Sequence, residues 1–293
     1  MRSKPVTFAA ALAARLPLPV VRAVALGVAW ILTHLVRVRR REAIASIARC
    51  FPGASPAWCR SVYAGMWKNL CLSAAEVLRY IGGRRTEALD RMELRGADNA
   101  RAAMTANPDT GAFALISHLG NYPLLAVNVP PLVGYPLSFV TKRFRRPGAN
   151  RLWEDLQVLA GIEGIYAQNA YRPCVRAVRS HRVLGFMLDQ NRPAEQGVFV
   201  PFFGRPASTS PGLALMSWQT KAPVVPVFAH REPDGHHVVE ILPPIPPPPD
   251  RKPETILAYT ARYTAEIEAA VRRHPDQWLW LHRRWKSRPP AAS

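Results

Sequence analysis

One histidine stands where chemistry can be done. His118, in Ser117-His118-Leu119-Gly120-Asn121, follows a run of apolar residues and opens onto small and polar ones. An imidazole titrates near neutrality, so at such a place it can take the proton of an attacking hydroxyl as a general base. Its plainer role is a structural hydrogen bond at a strand end. An efficient base also needs a carboxylate behind it, to fix the tautomer and stabilise the imidazolium. Asp189 is the candidate, because it lies just after the apolar run 183–188 and a neighbouring strand end would bring it to the same crevice. The simpler alternative for Asp189 is a turn carboxylate that accepts from backbone amides.

Two further segments can bind anions. Lys142-Arg143-Phe144-Arg145-Arg146-Pro147 offers guanidinium forks beside an ammonium, which suits phosphate oxygens, or else it is a solvated basic loop. Phe202-Phe203-Gly204-Arg205 and Ala207-Ser208-Thr209-Ser210-Pro211-Gly212 predict a turn and then a helix start, where amides, hydroxyls and Arg205 can meet an anion. On pattern alone, Ser210-Pro211 is simply a good helix amino terminus. Other chemistries find no support. His236-His237 has no cysteine or carboxylate at ligand spacing, so no metal is expected, and neither a GxSxG setting nor a nucleotide-binding loop occurs. Cys50, Cys59, Cys71 and Cys174 form no CxxC pair and are expected to be reduced, mostly buried thiols.

Apolar spacing defines the elements that must position these residues. Strands are predicted at 92–94, 112–117, 137–141, 183–188, 198–200, 224–230 and 238–242. Helices are predicted at 97–104, 151–160, 171–181, 212–221 and 255–273, and this alternation implies an α/β fold with a mainly parallel sheet covered by helices. The prolines of 243–249 make a rigid connector, and no internal repeat appears. The division expected is an N-terminal membrane-associating helix with a basic flank, 1–41, then a single domain, 42–293, whose first part, 42–90, is a helical cap.

The N-terminal expectation rests on residues 16–36, nearly apolar and followed at once by Arg37, Arg39, Arg40 and Arg41. That is the pattern of a hydrophobic anchor meeting an anionic leaflet, although a buried core helix passes the same hydropathy test. Of 293 residues 48% are hydrophobic, enough for a sizeable core, and the formal net charge is +19. Such a surplus stays on the surface and selects an anionic partner: nucleic acid, an acidic membrane, or an acidic protein or phosphorylated ligand.

Four segments in order then carry a resemblance. They are Ser117-His118-Leu119-Gly120-Asn121; Leu188-Asp189-Gln190 with 197–207; Ala222-Pro223-Val224-Val225-Pro226-Val227; and Trp278-Leu279-Trp280-Leu281-His282-Arg283-Arg284-Trp285-Lys286. Together they resemble the lysophospholipid acyltransferase superfamily and, within it, the lipid A biosynthesis lauroyl/myristoyl acyltransferases, over most of the chain. The resemblance implies a glycerolipid-acyltransferase-like fold and transfer of a fatty acyl chain from an acyl carrier protein thioester, or acyl-CoA, to a hydroxyl of a lipid A precursor or related amphipathic acceptor. It implies no cofactor, and a place at the cytoplasmic face of the bacterial inner membrane. His118 is then the expected catalytic base, and Asp189, read from its strand-end position, is the preferred substitute for the family's carboxylate. Asn121, Lys142, Arg143, Arg145, Arg146, Gly204, Arg205 and Thr209 are the expected substrate contacts.

The family pattern is His, four residues, then Asp or Glu, and this chain has Pro123 at the acidic position. A prolyl ring fits the first turn of a helix capped by Asn121, yet it can neither orient nor charge-stabilise an imidazole. Three outcomes follow: another carboxylate serves, histidine works alone and slowly, or the chain binds acyl lipids without catalysis. A nucleic-acid role rests on net charge alone, with no recognition motif and with arginines spread through the whole chain.

Overall fold

The computed structural model describes residues 8–142 and 147–290. Five helices come first: α1 (Phe8–Arg15), α2 (Leu18–Ile31), α3 (Arg40–Cys50), α4 (Pro56–Ile81) and α5 (Arg85–Leu89). A single π turn, Leu32–Val36, extends α2. Then strands and helices alternate: β1 (Met92–Arg95), α6 (Ala97–Thr105), β2 (Ala112–Ile116), α7 (Tyr122–Val133), β3 (Leu137–Thr141), α8 (Pro147–Ala160), β4 (Glu163–Tyr166), α9 (Tyr171–Arg179) and β5 (Val183–Met187). The chain continues through the hairpin β6 (Val198–Phe202) and β7 (Arg205–Thr209), α10 (Gly212–Thr220), β8 (Val224–Arg231), β9 (His237–Ile241) and α11 (Pro253–Arg273).

Seven strands form one sheet in the order β1-β9-β8-β2-β5-β3-β4, parallel throughout except between β8 and β9. At its centre β2 is buried along its whole length. Successive side chains leave a strand on opposite faces, so Phe113 and Leu115 join one apolar cluster with α9, α10 and α11. Ala112, Ala114 and Ile116 join the other, with α6, α7 and α8. Both faces are therefore covered, as parallel sheets require.

Two expectations about elements need correction. Residues 205–209, expected as a turn leading into a helix, are a strand that pairs antiparallel with β6 from Val198↔Thr209 to Phe202↔Arg205. Strand β4 was not expected at all; its exposed and polar ends, Glu163 and Tyr166, give it no apolar run.

The N-terminal helices lie against α4. Gly82 at the end of α4 meets α1 so closely that a Cβ there would stand 2.3 Å from the Ala10 carbonyl oxygen. Two of the last carbonyls of α1, which have no partner within the helix, accept from Arg79 (Ala13 O, 2.6 Å) and Arg84 (Ala14 O, 3.0 Å), and Arg79 also reaches Leu16 O just beyond the helix (2.7 Å). Leu18–Val36 is long and apolar enough to cross a membrane, and only 22% of that stretch is buried in the protein. Val24, Trp30, Leu35 and Val36 are among its exposed residues. Of the four flanking arginines, the exposed Arg39 bonds across the surface, donating to Glu42 and to the Leu281 carbonyl (2.6 Å).

Candidate active site

Strand register builds the centre. β2 and β5 pair in parallel up to Ile116↔Met187, and continuing that register by two residues sets His118 beside Asp189. His118 Nδ1–H donates to Asp189 Oδ1 (2.9 Å), and the His118 backbone N–H donates to Oδ2 (2.8 Å). Oδ2 also accepts from the indole N–H of Trp278 (2.8 Å). Asp189 is only 3% exposed. Burial alone would push its carboxyl up, but the His118 charge and these hydrogen bonds outweigh burial and hold it at about 2. The ionised carboxylate fixes the proton on Nδ1, so Nε2 carries the lone pair. Gln190 Nε2 donates to it at 3.1 Å. Tyr122 stands edge-on to the imidazole, 4.9 Å between centroids, and its phenol is pushed up to about 12 by burial and then by the Asp189 charge.

Three distant segments shape the loop that bears His118. Gly120 has φ +60°, and a Cβ would stand 2.2 Å from the Ala229 carbonyl oxygen of β8, so this turn excludes any side chain. The tail pairs with the loop as a short strand would: Leu279 N–H donates to His118 O, and Gly120 N–H donates to Gln277 O, both at 3.1 Å. Asn121 caps α7 by accepting from Leu124 N–H (3.3 Å) and donates from its amide to Glu76 Oε2 on α4 (2.7 Å). Glu76 is held in turn by Arg231, through both its oxygens, and by His237 Nε2 (3.0 Å). Burial pushes the Glu76 carboxyl up, and the His237 and Arg231 contacts overcome it, bringing it to about 2.

The same tail supplies two more anchors. His282 Nε2 accepts from the Asn191 backbone N–H (2.8 Å), and burial lowers this imidazole to about 4, so it stays neutral. Arg284 is wholly buried, donating to Ser208 O (2.7 Å) and Thr209 Oγ1 (2.5 Å), with its guanidinium 5.3 Å from the Phe202 ring centre. Burial brings it down to about 10, against the pull of Asp189.

His118 opens into a cavity of about 990 Å³. Its wall is mostly apolar, including Val77, Leu78, Phe139, Trp153, Leu156 and Phe186, with Tyr122 and Pro123 beside the histidine. Lys142, Gln190, Asn191, Arg192, Gln196 and Ser210 are among the polar residues of the wall. Pro123 occupies the first turn of α7, as expected for a missing N–H, and presents its ring to the cavity.

The expected site residues are thus distributed unevenly. His118 and Lys142 line the cavity, and Asp189 lies behind His118. Asn121 is buried beside them, with both ends of its amide engaged within the protein. Gly204, Arg205 and Thr209 are not part of the cavity wall. Arg205 lies over the Trp285 ring (4.6 Å), and the Thr209 hydroxyl is taken by Arg284. Arg143, Arg145 and Arg146 lie outside the described residues. Sequence reasoning missed Gln190, Arg192, Tyr122 and Glu76. Only Gln190, adjacent to Asp189, carried a local signal. The described residues contain no group of three or more His, Cys, Asp or Glu placed to hold a metal ion.

A His–Asp pair with a buried carboxylate, placed at the carboxyl edge of a parallel sheet and opening on a large, mostly apolar cavity, is a centre suited to reactions of a long-chain substrate. The chain belongs to the bacterial lipid A biosynthesis acyltransferase family, which it matches over residues 6–287. It is 30% identical over 149 residues to the lipid A biosynthesis lauroyltransferase of Escherichia coli (strain K12), a match covering 49% of this chain and 48% of that protein. To the lipid A biosynthesis palmitoleoyltransferase of the same organism it is 24% identical over 267 residues, 87% of this chain and 82% of the relative. The chain therefore spans about half the length of the first relative and most of the second. Among solved structures it is similar to the crystal structure of the 1-acyl-sn-glycerophosphate (LPA) acyltransferase, PlsC, from Thermotoga maritima, with 14% identity, a TM-score of 0.41, and coverage of 89% of this chain and 99% of that one.

Proposed function

We propose that this chain transfers a fatty acyl group from an acyl carrier protein thioester to a hydroxyl of a lipid A precursor, a phosphorylated glycolipid, with His118 as general base. The observation that carries this reading is the His118–Asp189 pair, whose histidine lines the mostly apolar cavity. His118 Nε2 takes the hydroxyl proton as the oxygen attacks the thioester carbonyl. The C–O bond forms, the C–S bond breaks, and the imidazolium returns the proton to the departing thiolate. Asp189, ionised at neutral pH, stabilises the transient positive charge. It takes the role that the family pattern gives to the acidic position occupied here by Pro123. The thioester is already an activated carbonyl, so neither a metal nor a nucleotide is required.

The exposed apolar face of Leu18–Val36, with Arg37, Arg40 and Arg41 beyond it, supports attachment to the anionic cytoplasmic face of the inner membrane. Acyl carrier proteins are acidic, so the +19 surplus also favours capture of the donor.

The test is transfer by the purified chain from acyl carrier protein thioesters to a panel of lipid acceptors. His118→Ala is expected to abolish transfer, and Asp189→Asn to lower kcat by roughly 10³–10⁴. Full activity in the first variant would remove His118 as the base. Unchanged turnover in the second would remove Asp189 from the mechanism. If the unmodified chain binds acyl lipid but never transfers it, the binding role is what survives.

A further inference from the structure

The apolar stretch Leu18–Val36 holds a single charged side chain, Arg22. Arg22 lines a small pocket that α2 forms with α4, α5 and the start of β9, and Glu76, Arg79, Arg84, Glu87 and Arg91 line it too. This pocket shares no residue with the cavity at His118. Both of its carboxylates are already committed: Glu76 is held by Arg231 and His237, and Glu87 by Arg79 (2.7 Å). Arg22, Arg84 and Arg91 pair with no carboxylate among the described residues. Arg84 donates to Ala14 O (3.0 Å) and Arg91 to Asp234 O (3.1 Å), both uncharged, while the Asp234 carboxylate turns to His236 (2.7 Å).

Two of these guanidiniums also converge. A Cβ on Gly235, in the turn between β8 and β9, would stand 2.5 Å and 2.7 Å from Nη1 and Nη2 of Arg22 and 2.9 Å from Nη2 of Arg91. The two forks therefore meet over one bare glycine, with no carboxylate of the described residues between them. Like charges this close repel unless a counter-charge joins them, and paired forks match the several oxygens of a phosphate. The helix that carries Arg22 says which phosphate. One and two turns further along the same ridge of α2 stand Leu26 and Trp30, 41% and 57% exposed. An alkyl chain attached to an anion at Arg22 has an apolar track to lie on. We infer that Arg22 and Arg91, with Arg84 beside them, form a headgroup site for an anionic membrane phospholipid, holding its phosphate while one chain runs along Leu26 and Trp30. This lipid is part of the seat of the protein in the membrane and lies outside the catalytic cavity. The choice of a lipid over a free anion rests on the membrane-attachment reading; the anion site does not, and neither needs acyl transfer.

The experiment counts lipid on the full chain by native mass spectrometry in a non-ionic detergent, with phosphatidylglycerol or phosphatidylcholine added. Replacing both arginines, Arg22→Gln with Arg91→Gln, should weaken phosphatidylglycerol roughly 10- to 100-fold, as expected for loss of charge-assisted contacts, and leave phosphatidylcholine unchanged. Retained phosphatidylcholine binding doubles as the control for folding, and Arg22→Lys with Arg91→Lys should recover part of the loss. Arg176→Gln with Arg179→Gln removes the same charge from the exposed face of α9 and should change neither lipid. Equal affinity for phosphatidylglycerol in the unmodified chain and the Arg22/Arg91 variant, or an equal loss in the α9 variant, overturns the site.

Two further arms fix the source and the path of the chain. Inorganic phosphate should not displace phosphatidylglycerol at equal concentration; if it does, the site holds a free anion and the lipid is overturned. Phosphatidylglycerol with brominated chains should quench tryptophan fluorescence, and most of that quenching should vanish in Trp30→Phe. Quenching that survives in full overturns the track along α2. Flotation on phosphatidylcholine vesicles keeps the readings apart, because the exposed apolar face should carry the unmodified chain and the Arg22/Arg91 variant alike. Should neither float while the unmodified chain still selects phosphatidylglycerol in detergent, the attachment reading fails and the headgroup site stands.

Discussion

Replacing Trp278 by Phe removes one hydrogen-bond donor from the centre while leaving an aromatic ring against Phe202 and Trp280. The lost bond, 2.8 Å to a buried carboxylate oxygen, is of the charge-assisted kind that contributes about 1.5–3 kcal/mol. Its removal lets the Asp189 carboxyl rise, but the indole bond is the smallest of the contacts that lower it, behind the His118 charge and the two His118 hydrogen bonds. The carboxyl therefore remains ionised at neutral pH, and the expected damage is to orientation rather than to charge. Oδ2 keeps only the His118 backbone N–H, and the carboxylate is freer to turn away from the imidazole. We expect kcat to fall roughly ten- to a hundredfold with KM unchanged. The assay that separates this from simple loss of packing is a double-mutant cycle in urea unfolding, pairing Trp278→Phe with Asp189→Leu. With the carboxylate gone, Trp278→Phe should cost only its packing, and the coupling between the two sites should be about 1.5–3 kcal/mol. If Trp278→Phe is as damaging without Asp189 as with it, the indole N–H does not act through the carboxylate and the reasoning fails.

Pro123→Glu restores the acidic position of the family pattern but puts a charge on an apolar wall. Because Asp189 already engages Nδ1, transfer measured with acyl carrier protein thioesters should not rise, and binding of alkyl chains should weaken. A gain in turnover would show that the His118–Asp189 pair is insufficient. Stability should fall with acid in two windows, measurable as Tm against pH. His282 and His274 lie at about 4 in the folded chain against an ordinary 6.5, both lowered chiefly by burial. Their contribution is complete above pH 6.5 and is lost as pH falls toward 4. Asp189 and Glu76 lie at about 2 against 3.8 and 4.5, so their contribution is lost between about pH 4.5 and 2. Glu76→Gln should flatten the lower window and leave the upper one unchanged.

The central strands were legible because each is a short apolar run with a polar break after it; β2, β3, β5 and β8 fall within a residue or two of their predicted limits. His118 and Asp189 were legible as strand-end residues for the same reason. That they meet depends on β2 and β5 being neighbours, which no local pattern encodes. Strand β7 was hidden because Pro206, Ser208 and Thr209 favour turns, and only pairing with β6 and the grip of Arg284 hold them extended. Trp278 was visible as part of a motif but not as a partner of Asp189, since that contact joins residues 89 apart in the chain.

The Gln190 amide sits on the lone pair that a base must use. Under the acyl transfer from a thioester proposed above, the hazard is a stray water, whose attack would discard the acyl group as free acid. A water at Nε2 has to displace an amide tethered one residue from Asp189, and it brings no other contact to compensate. A lipid hydroxyl arrives with its chain and head already bound, so the same exchange costs it less. One side chain can in this way ration the nucleophile, keeping the loaded donor from idle hydrolysis until the acceptor is seated.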